Sequence, residues 1–484
     1  MNRLSEKNLP ENIQKFSYDR AAVNIGIVHF GIGNFHRAHQ ALYVEELLEQ
    51  GDTQWGIVGI SMRSSAMKEA LAPQDYLYTL ATLGTETDYR IIGAVKDIIV
   101  APEAPQTVID LMAKPTTQLV SSTITEKGYY LASGDVDFDH PSLRSEVDSL
   151  ATPKTIYGFI AAGLMARCKA APTSKLTIMC CDNISSGGEL IEVGVRYLLE
   201  RHDKAVLTWL ETHVNFISSM VDRVCPATDD RLKAAVLRDT GCRDASPVSA
   251  EPFRQWVIED RFAGERPDFD HVGAVLVDDI APFERMKLSY LNGAHTMVSC
   301  LGYLSGDVYV HEALLRPDLF NFMRRALYEN VLPHAAVPAQ YDGAIYIEDV
   351  IKRFQNSHLP YGNLQVGTDS SQKIQQRWFP TLEAALEAGA DCSFFAFSLA
   401  AWVIFIQTAL SNGVLNDPKK GEFEKVQTKD LEAKVKLYLA IANGEKFDFY
   451  KTPKFMQVIV RYAQDIDHKG LERALKDFLI VSEL

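Results

Sequence analysis

Lys287, Asn292 and His295 fall within the nine residues KLSYLNGAH, in an otherwise rather apolar stretch. A lysine amine made neutral by burial can take a proton from a hydroxyl. An amide N–H can hold the oxygen that gains charge, and an imidazole can fix the same or an adjacent hydroxyl. Oxidation of a secondary alcohol by hydride transfer requires such a base and such a donor. No proline interrupts Phe283 to Leu304, so one continuous helix is predicted there. At about 100° per residue, Asn292 lies roughly 140° and His295 roughly 80° around from Lys287. The three then share one side with Glu284, while Met286, Met297 and Leu301 gather elsewhere to pack. Taken singly, these residues read as a solvated charge, a local cap and a satisfied core imidazole. Their convergence on one arc is what argues for a site.

Such chemistry needs a hydride acceptor, and the N-terminal part offers a place for one. VNIGIVHF (Val23 to Phe30) reads as a strand, GIGNFHRAHQ as a glycine turn, ALYVEELLEQG as a helix ending at Gly51, and WGIVGI (Trp55 to Ile60) as a second strand. Gly31 and Gly33 sit where a missing Cβ allows a tight turn and the approach of a pyrophosphate to a helix N-terminus. His36 stands where G-x-G-x-x-G would carry its third glycine. A ribose-binding acid is expected after the second strand, but Ser61 to Ser65 (SMRSS) contains none. Arg63 with Ser64 and Ser65 would suit a 2′-phosphate, or the loop would hold NAD by other contacts; NAD is the expectation and NADP stays open. Gly31, Gly33, Phe35 and Arg63 are the candidate cofactor contacts.

Around these points the chain organises simply. YRIIGAV, QLVSSTIT and KLTIMCCD are further strand candidates and KTIYGFIAAGLMARC a helix, an alternation that predicts a largely parallel sheet covered by helices. From Phe283 onward the pattern turns to long helical segments: HEALLRPDLFNFMRRALYENVLP, IYIEDVIKRFQN, TLEAALEAGA and FFAFSLAAWVIFI. The expected fold is α/β, with a Rossmann-like domain over 1–282 and a mostly helical domain over 283–484. The apolar run Phe394 to Ile406 falls short of the roughly 20 residues of a bilayer span and reads as a buried helix.

The 484 residues are 47% hydrophobic and 23% charged, with a formal charge of −14 and pI near 5.4. This is a globular composition, and its acidity disfavours nucleic acid and anionic membranes as partners. Seven cysteines, without a C-x-x-C pair, fit a reduced compartment, and the start lacks the apolar segment of a secretory signal; a cytoplasmic protein is expected. His36 and His39 have no evident thiolate or carboxylate partner, so no metal is expected. A small-molecule sugar acid or polyol is the expected partner, and the chain is expected to be a monomer or small homo-oligomer.

GIGNFHRAHQALY, TITEKGYY, CDNISSGG, MVDRV, EPFRQWVIED and MKLSYLNGAHTMVSCLGYL, in this order and across nearly the whole chain, resemble the long-chain mannitol dehydrogenase family of zinc-independent polyol and sugar-acid oxidoreductases. The resemblance implies that Lys287 is the general base and that Asn183 of CDN joins Asn292 in an oxyanion hole. It further implies that His295 and Asp222 hold substrate hydroxyls and that Glu284 lines the proton path to solvent. Asn183 also fits without the resemblance, since ligands of open α/β sheets bind beyond the carboxyl ends of the strands. Asp222 otherwise reads as a salt bridge to Arg223, and Glu284 as an exposed first-turn acid.

GTDSSQKIQQRW supplies Lys373 and Arg377. Polyol-oxidising members of the family carry an arginine eight residues before this lysine; here that position is Gln365. The pattern is more similar to the branch that reduces fructuronate to mannonate, and cationic donors suit a C1 carboxylate. Alternatives are a mannitol 2-dehydrogenase or other polyol dehydrogenase, a β-hydroxyacid dehydrogenase that releases CO2, and a non-catalytic nucleotide-binding sensor.

Overall fold

Near-continuous apolar runs such as IGIVHF can be buried on both faces only within a parallel sheet covered on each side. The computed structural model, which describes residues 2–132, 134–444, 446–449 and 452–481, has that arrangement in the first of its two units, Met1–Ala281. Its main sheet contains β1 (Ile25–Phe30), β2 (Gly56–Ser61), β3 (Val95–Val100), β4 (Leu119–Ser122), β5 (Leu176–Cys180), β6 (Val214–Asp222), β7 (Gln255–Glu259) and β8 (Val275–Val277). The spatial order is β8-β7-β6-β5-β4-β1-β2-β3. Strands β1 to β6 pair in parallel, and β7 runs antiparallel to β6. From β3 to β6 this is the 3-2-1-4-5-6 order of dinucleotide-binding sheets, with its reversal between β1 and β4. Alternate residues face opposite cores: Val28, Phe30 and Ile178 belong to one, Ile27, Met179 and Ile217 to the other.

The parallel sheet is as expected, but one strand candidate is displaced. YRIIGAV contributes to Thr87–Ile92, which pairs antiparallel with Tyr78–Leu83 in a separate three-stranded sheet completed by Val248–Ala250. The N-terminal arm packs Leu4 against Leu77 and Ile91.

The second unit, Pro282–Leu484, starts one residue before the boundary read from sequence. It is helical, as expected, and its core surrounds Ser393–Ser411. That helix has 19 residues and, by length and composition, is apolar enough to cross a membrane. Yet 78% of its most apolar window is buried within the structure, as in the core helix of a folded domain. Phe322, Phe394, Phe397 and Phe478 form an aromatic cluster beside it.

The predicted continuous helix over Phe283–Leu304 requires correction. Ala281–Lys287 and Gly293–Leu304 are α-helical, but Leu288–Asn292 between them is a π turn. The Gly293 N–H reaches back five residues to the Leu288 carbonyl. Similarly, HEALLRPDLF… breaks into Val310–Ala313 and Pro317–Ala326, followed by a second π turn, Leu327–Val331. Hydrophobic spacing does not register a one-residue expansion of the hydrogen-bond ladder, so neither π turn was predictable from periodicity.

Candidate active site

In the first unit, β1 ends at Phe30 and the chain turns at Gly31, whose φ is +97°. A Cβ there would lie 2.1 Å from the Thr123 carbonyl oxygen, so only glycine fits. Gly33 differs: the nearest heavy atom to a Cβ at this position is the Gly31 oxygen at 4.0 Å, and the residue is exposed, which leaves its backbone open to a ligand. Short as it is, Asn34–Ala38 follows directly. Phe35 stacks on His39 with ring centroids 4.9 Å apart. His36, at the third-glycine position, is buried and stacked on His29 of β1 at 3.5 Å. An imidazole pair thus occupies the helix–strand contact that a glycine would otherwise make. Burial holds His29 and His39 neutral, each near 3, and pushes His36 well below its ordinary value. Arg63 stands exposed just past the end of β2.

His36 and His39 do not converge: the Nε2 of His39 lies 3.0 Å from the Gln255 carbonyl oxygen, whereas His36 faces His29. Among the described residues, no three His, Cys, Asp or Glu side chains group as metal ligands.

Asn183 is exposed in the turn after β5, on the same strand-end side as the glycine turn. Its neighbour Asp182 was missed as a site residue although it stands in the quoted CDN. The Asp182 carboxylate accepts from the N–H groups of Ile124 and Thr125, each at 2.8 Å, and from the Tyr129 hydroxyl at 2.6 Å. Burial pushes this carboxyl up while the three donors pull it down. The anchored TITEKGYY segment holds Thr125 at φ +67°, a strained conformation for a β-branched residue. Asp222 is buried at the end of β6. Arg223 directs its guanidinium at the carbonyls of Glu251 and Ala38.

In the second unit, Lys287 is the last residue of its α-helical segment and is only 7% exposed, between buried Met286 and Tyr290. Glu284, one turn earlier, is half-buried. The π turn winds each residue through a smaller angle than an α turn. Asn292, five residues on, therefore comes round closer to the Lys287 side than the roughly 140° of a straight helix. The Asn292 Oδ1 is buried without a hydrogen-bond partner among the described residues. His295 lies in the first turns of the next helix, its ring 4.7 Å from Phe354 and 5.4 Å from Tyr361.

Lys373 and Arg377 lie on Ser370–Arg377, with Lys373 Nζ donating to the Val366 carbonyl at 3.1 Å. Arg377 reaches the π turn and the helix that follows it: its Nη1 donates to the Asn292 carbonyl at 3.1 Å and to Thr296 Oγ1 at 2.7 Å. Next to it, Trp378 donates from Nε1 to the Gly293 carbonyl at 3.0 Å. Thr296 and Trp378 were not singled out from sequence, since a buried threonine and tryptophan in helices read as ordinary packing. Gln365 is exposed on the short helix Asn363–Val366.

Comparison with known proteins accounts for both units. Residues 25–271 match the mannitol dehydrogenase Rossmann domain and 279–467 the mannitol dehydrogenase C-terminal domain. D-mannonate oxidoreductase of Escherichia coli is 33% identical over 97% of this chain and 98% of that protein. Polyol:NADP oxidoreductase of Gluconobacter oxydans is 32% identical over 97% and 98%. The structure of Pseudomonas fluorescens mannitol 2-dehydrogenase in ternary complex with NAD and D-mannitol superposes with a TM-score of 0.83 at 32% identity, covering 99% of each chain. With both of its units matched and near-complete coverage by these relatives, the chain belongs to the mannitol dehydrogenase family of oxidoreductases.

Proposed function

We propose that this protein is an NAD-dependent oxidoreductase that interconverts a secondary alcohol and a ketone of an open-chain sugar acid, D-mannonate and D-fructuronate. The observation that carries this reading is Lys287: a buried lysine at the end of Ala281–Lys287, followed at the end of a π turn by Asn292, whose Oδ1 is buried with no hydrogen-bond partner among the described residues. Burial of Lys287 keeps bulk water from competing for a substrate hydroxyl.

The open backbone at Gly33, beside the turn forced at Gly31, fits a pyrophosphate, with Phe35 and Arg63 flanking the dinucleotide. A bound nicotinamide would supply the hydride acceptor for the carbinol carbon. In the oxidation direction Lys287 would take the hydroxyl proton as the C–H bond breaks. Asn292 would donate an amide N–H bond to the oxygen while it carries developing charge, and the family resemblance gives Asn183 a donor role of the same kind. Glu284 passes the proton from Lys287 toward solvent. His295 would hold a flanking hydroxyl, and the family resemblance gives Asp222 a hydroxyl-binding role as well. Lys373 and Arg377 supply positive charge for a C1 carboxylate.

Support for the sugar acid comes from the whole-length similarity to D-mannonate oxidoreductase and from Gln365 in place of an arginine. The reading that follows from likeness to mannitol 2-dehydrogenase is mannitol and fructose as substrates. Initial rates of NADH oxidation with fructuronate and with fructose test the choice. A kcat/KM at least tenfold higher for fructuronate is expected; faster reduction of fructose refutes the sugar-acid assignment.

A further inference from the structure

A π turn is a rare, locally unfavourable way to continue a helix, and it persists only where surrounding structure holds it. In this protein it falls between Lys287 and Asn292, the two groups required to act on one oxygen. The structure shows what holds it. Arg377 Nη1 and Trp378 Nε1 donate to the successive carbonyls of Asn292 and Gly293, where the π turn gives way to α-helix. Thr296 Oγ1 joins the brace, accepting from Arg377 and donating to the Asn292 carbonyl at 3.1 Å. On the other flank, Thr381 and Ser289 bond through their hydroxyls, and the Tyr290 hydroxyl donates to the Ala335 carbonyl at 3.0 Å. Trp378 and Thr296 are almost fully buried, so their bonds are shielded from competing water.

We propose that Trp378, together with Thr296 and the Nη1 of Arg377, is a positioning device that keeps the Leu288–Asn292 π turn wound and so sets the placement of the Asn292 amide relative to the Lys287 amine. The inference rests on the catalytic roles given above to Lys287 and Asn292. Without the brace, the segment can relax toward a regular α-helix, which carries Asn292 away from the side of Lys287. A displacement of about 1 Å at a reacting centre is worth roughly 100-fold in rate.

Because Arg377 also belongs to the carboxylate contact, the diagnostic variants are Trp378→Phe, which removes the Nε1–H and keeps an aromatic ring, and Thr296→Val, which keeps the shape and removes the hydroxyl. Each is assayed beside Lys287→Ala in the oxidation direction, with NAD and the secondary-alcohol substrate of highest kcat/KM and the same alcohol deuterated at the carbinol carbon. The expected result for both variants is a kcat lower by about 10- to 100-fold, a KM within about threefold, a larger deuterium isotope effect on kcat and unchanged NADH binding. Wild-type kcat in Thr296→Val, or loss that only follows a falling folded fraction, overturns the proposal. If Lys287→Ala is inactive while both brace variants are normal, only the positioning role fails. If Lys287→Ala keeps wild-type turnover, the catalytic reading itself fails and takes this proposal with it.

Discussion

Substitution of Asn292 by alanine should separate catalysis from stability in opposite directions. The side-chain oxygen of Asn292 is buried with no partner among the described residues, a condition that costs about 1–3 kcal/mol for a polar group. Its backbone carbonyl, in contrast, is held by Arg377 and Thr296, and those bonds survive the change. Alanine keeps the Cβ and is the better helix former by up to about 0.7 kcal/mol. Against a small packing loss, the net expectation is a gain of about 1 kcal/mol, which for a unit of this size raises Tm by roughly 2–4 °C. Loss of one oxyanion donor should lower kcat by about 100- to 1,000-fold, with NADH affinity unchanged. Thermal unfolding, NADH fluorescence titration and steady-state kinetics on one preparation measure all three. A variant that loses more than about 1 kcal/mol of stability yet keeps kcat would show that the amide is a structural group and that its orphaned oxygen was misread.

Other outcomes follow from the same geometry. Lys373→Ala should raise KM for fructuronate by at least tenfold, as expected on loss of a charge-assisted contact, and leave KM for fructose nearly unchanged; equal effects on both sugars would remove Lys373 from carboxylate binding. Despite exposed Arg63 and the absence of an acid after β2, kcat/KM with NAD should exceed that with NADP; a strong preference for NADP would reassign the ribose loop. His36 is held neutral by burial, its folded pKa far below the unfolded value. The unfolded chain therefore binds the extra proton as pH falls below about 6.5, and folding loses up to about 1.4 kcal/mol per pH unit from this residue. Relative to wild type, His36→Phe should accordingly gain stability between pH 6 and pH 5, measured by urea unfolding; a constant difference across that range would mean that His36 does not titrate on unfolding.

The doubly wound sheet was legible because strand, glycine turn, helix and second strand each carry local signals that agree. Less legible were β6 and β7: MVDRV and EPFRQWVIED were recognised as motifs, but the pairing of Asp222 with Gln255 is a long-range contact that no local pattern encodes. The same holds for Thr87–Ile92, whose apolar residues mark a strand without indicating which sheet it joins. At the candidate site, Lys287, Asn292 and His295 could be grouped because the helical spacing read from the sequence put them on one side. The π turn escaped notice because hydrophobic spacing does not register it, and the Arg377 and Trp378 side chains that bond to its end lie 85 residues further along the chain. Asp182 escaped for a related reason: its three donors come from a segment 53 to 58 residues earlier in the chain.

The account turns on Lys287 as the group that moves the alcohol proton, and Lys287→Ala tests this most directly when turnover and NADH binding are measured on the same folded protein. The expected result is NADH affinity within a factor of about two of wild type and a kcat lower by about 100- to 10,000-fold. A variant that binds NADH normally and turns over within tenfold of wild type would contradict the assignment.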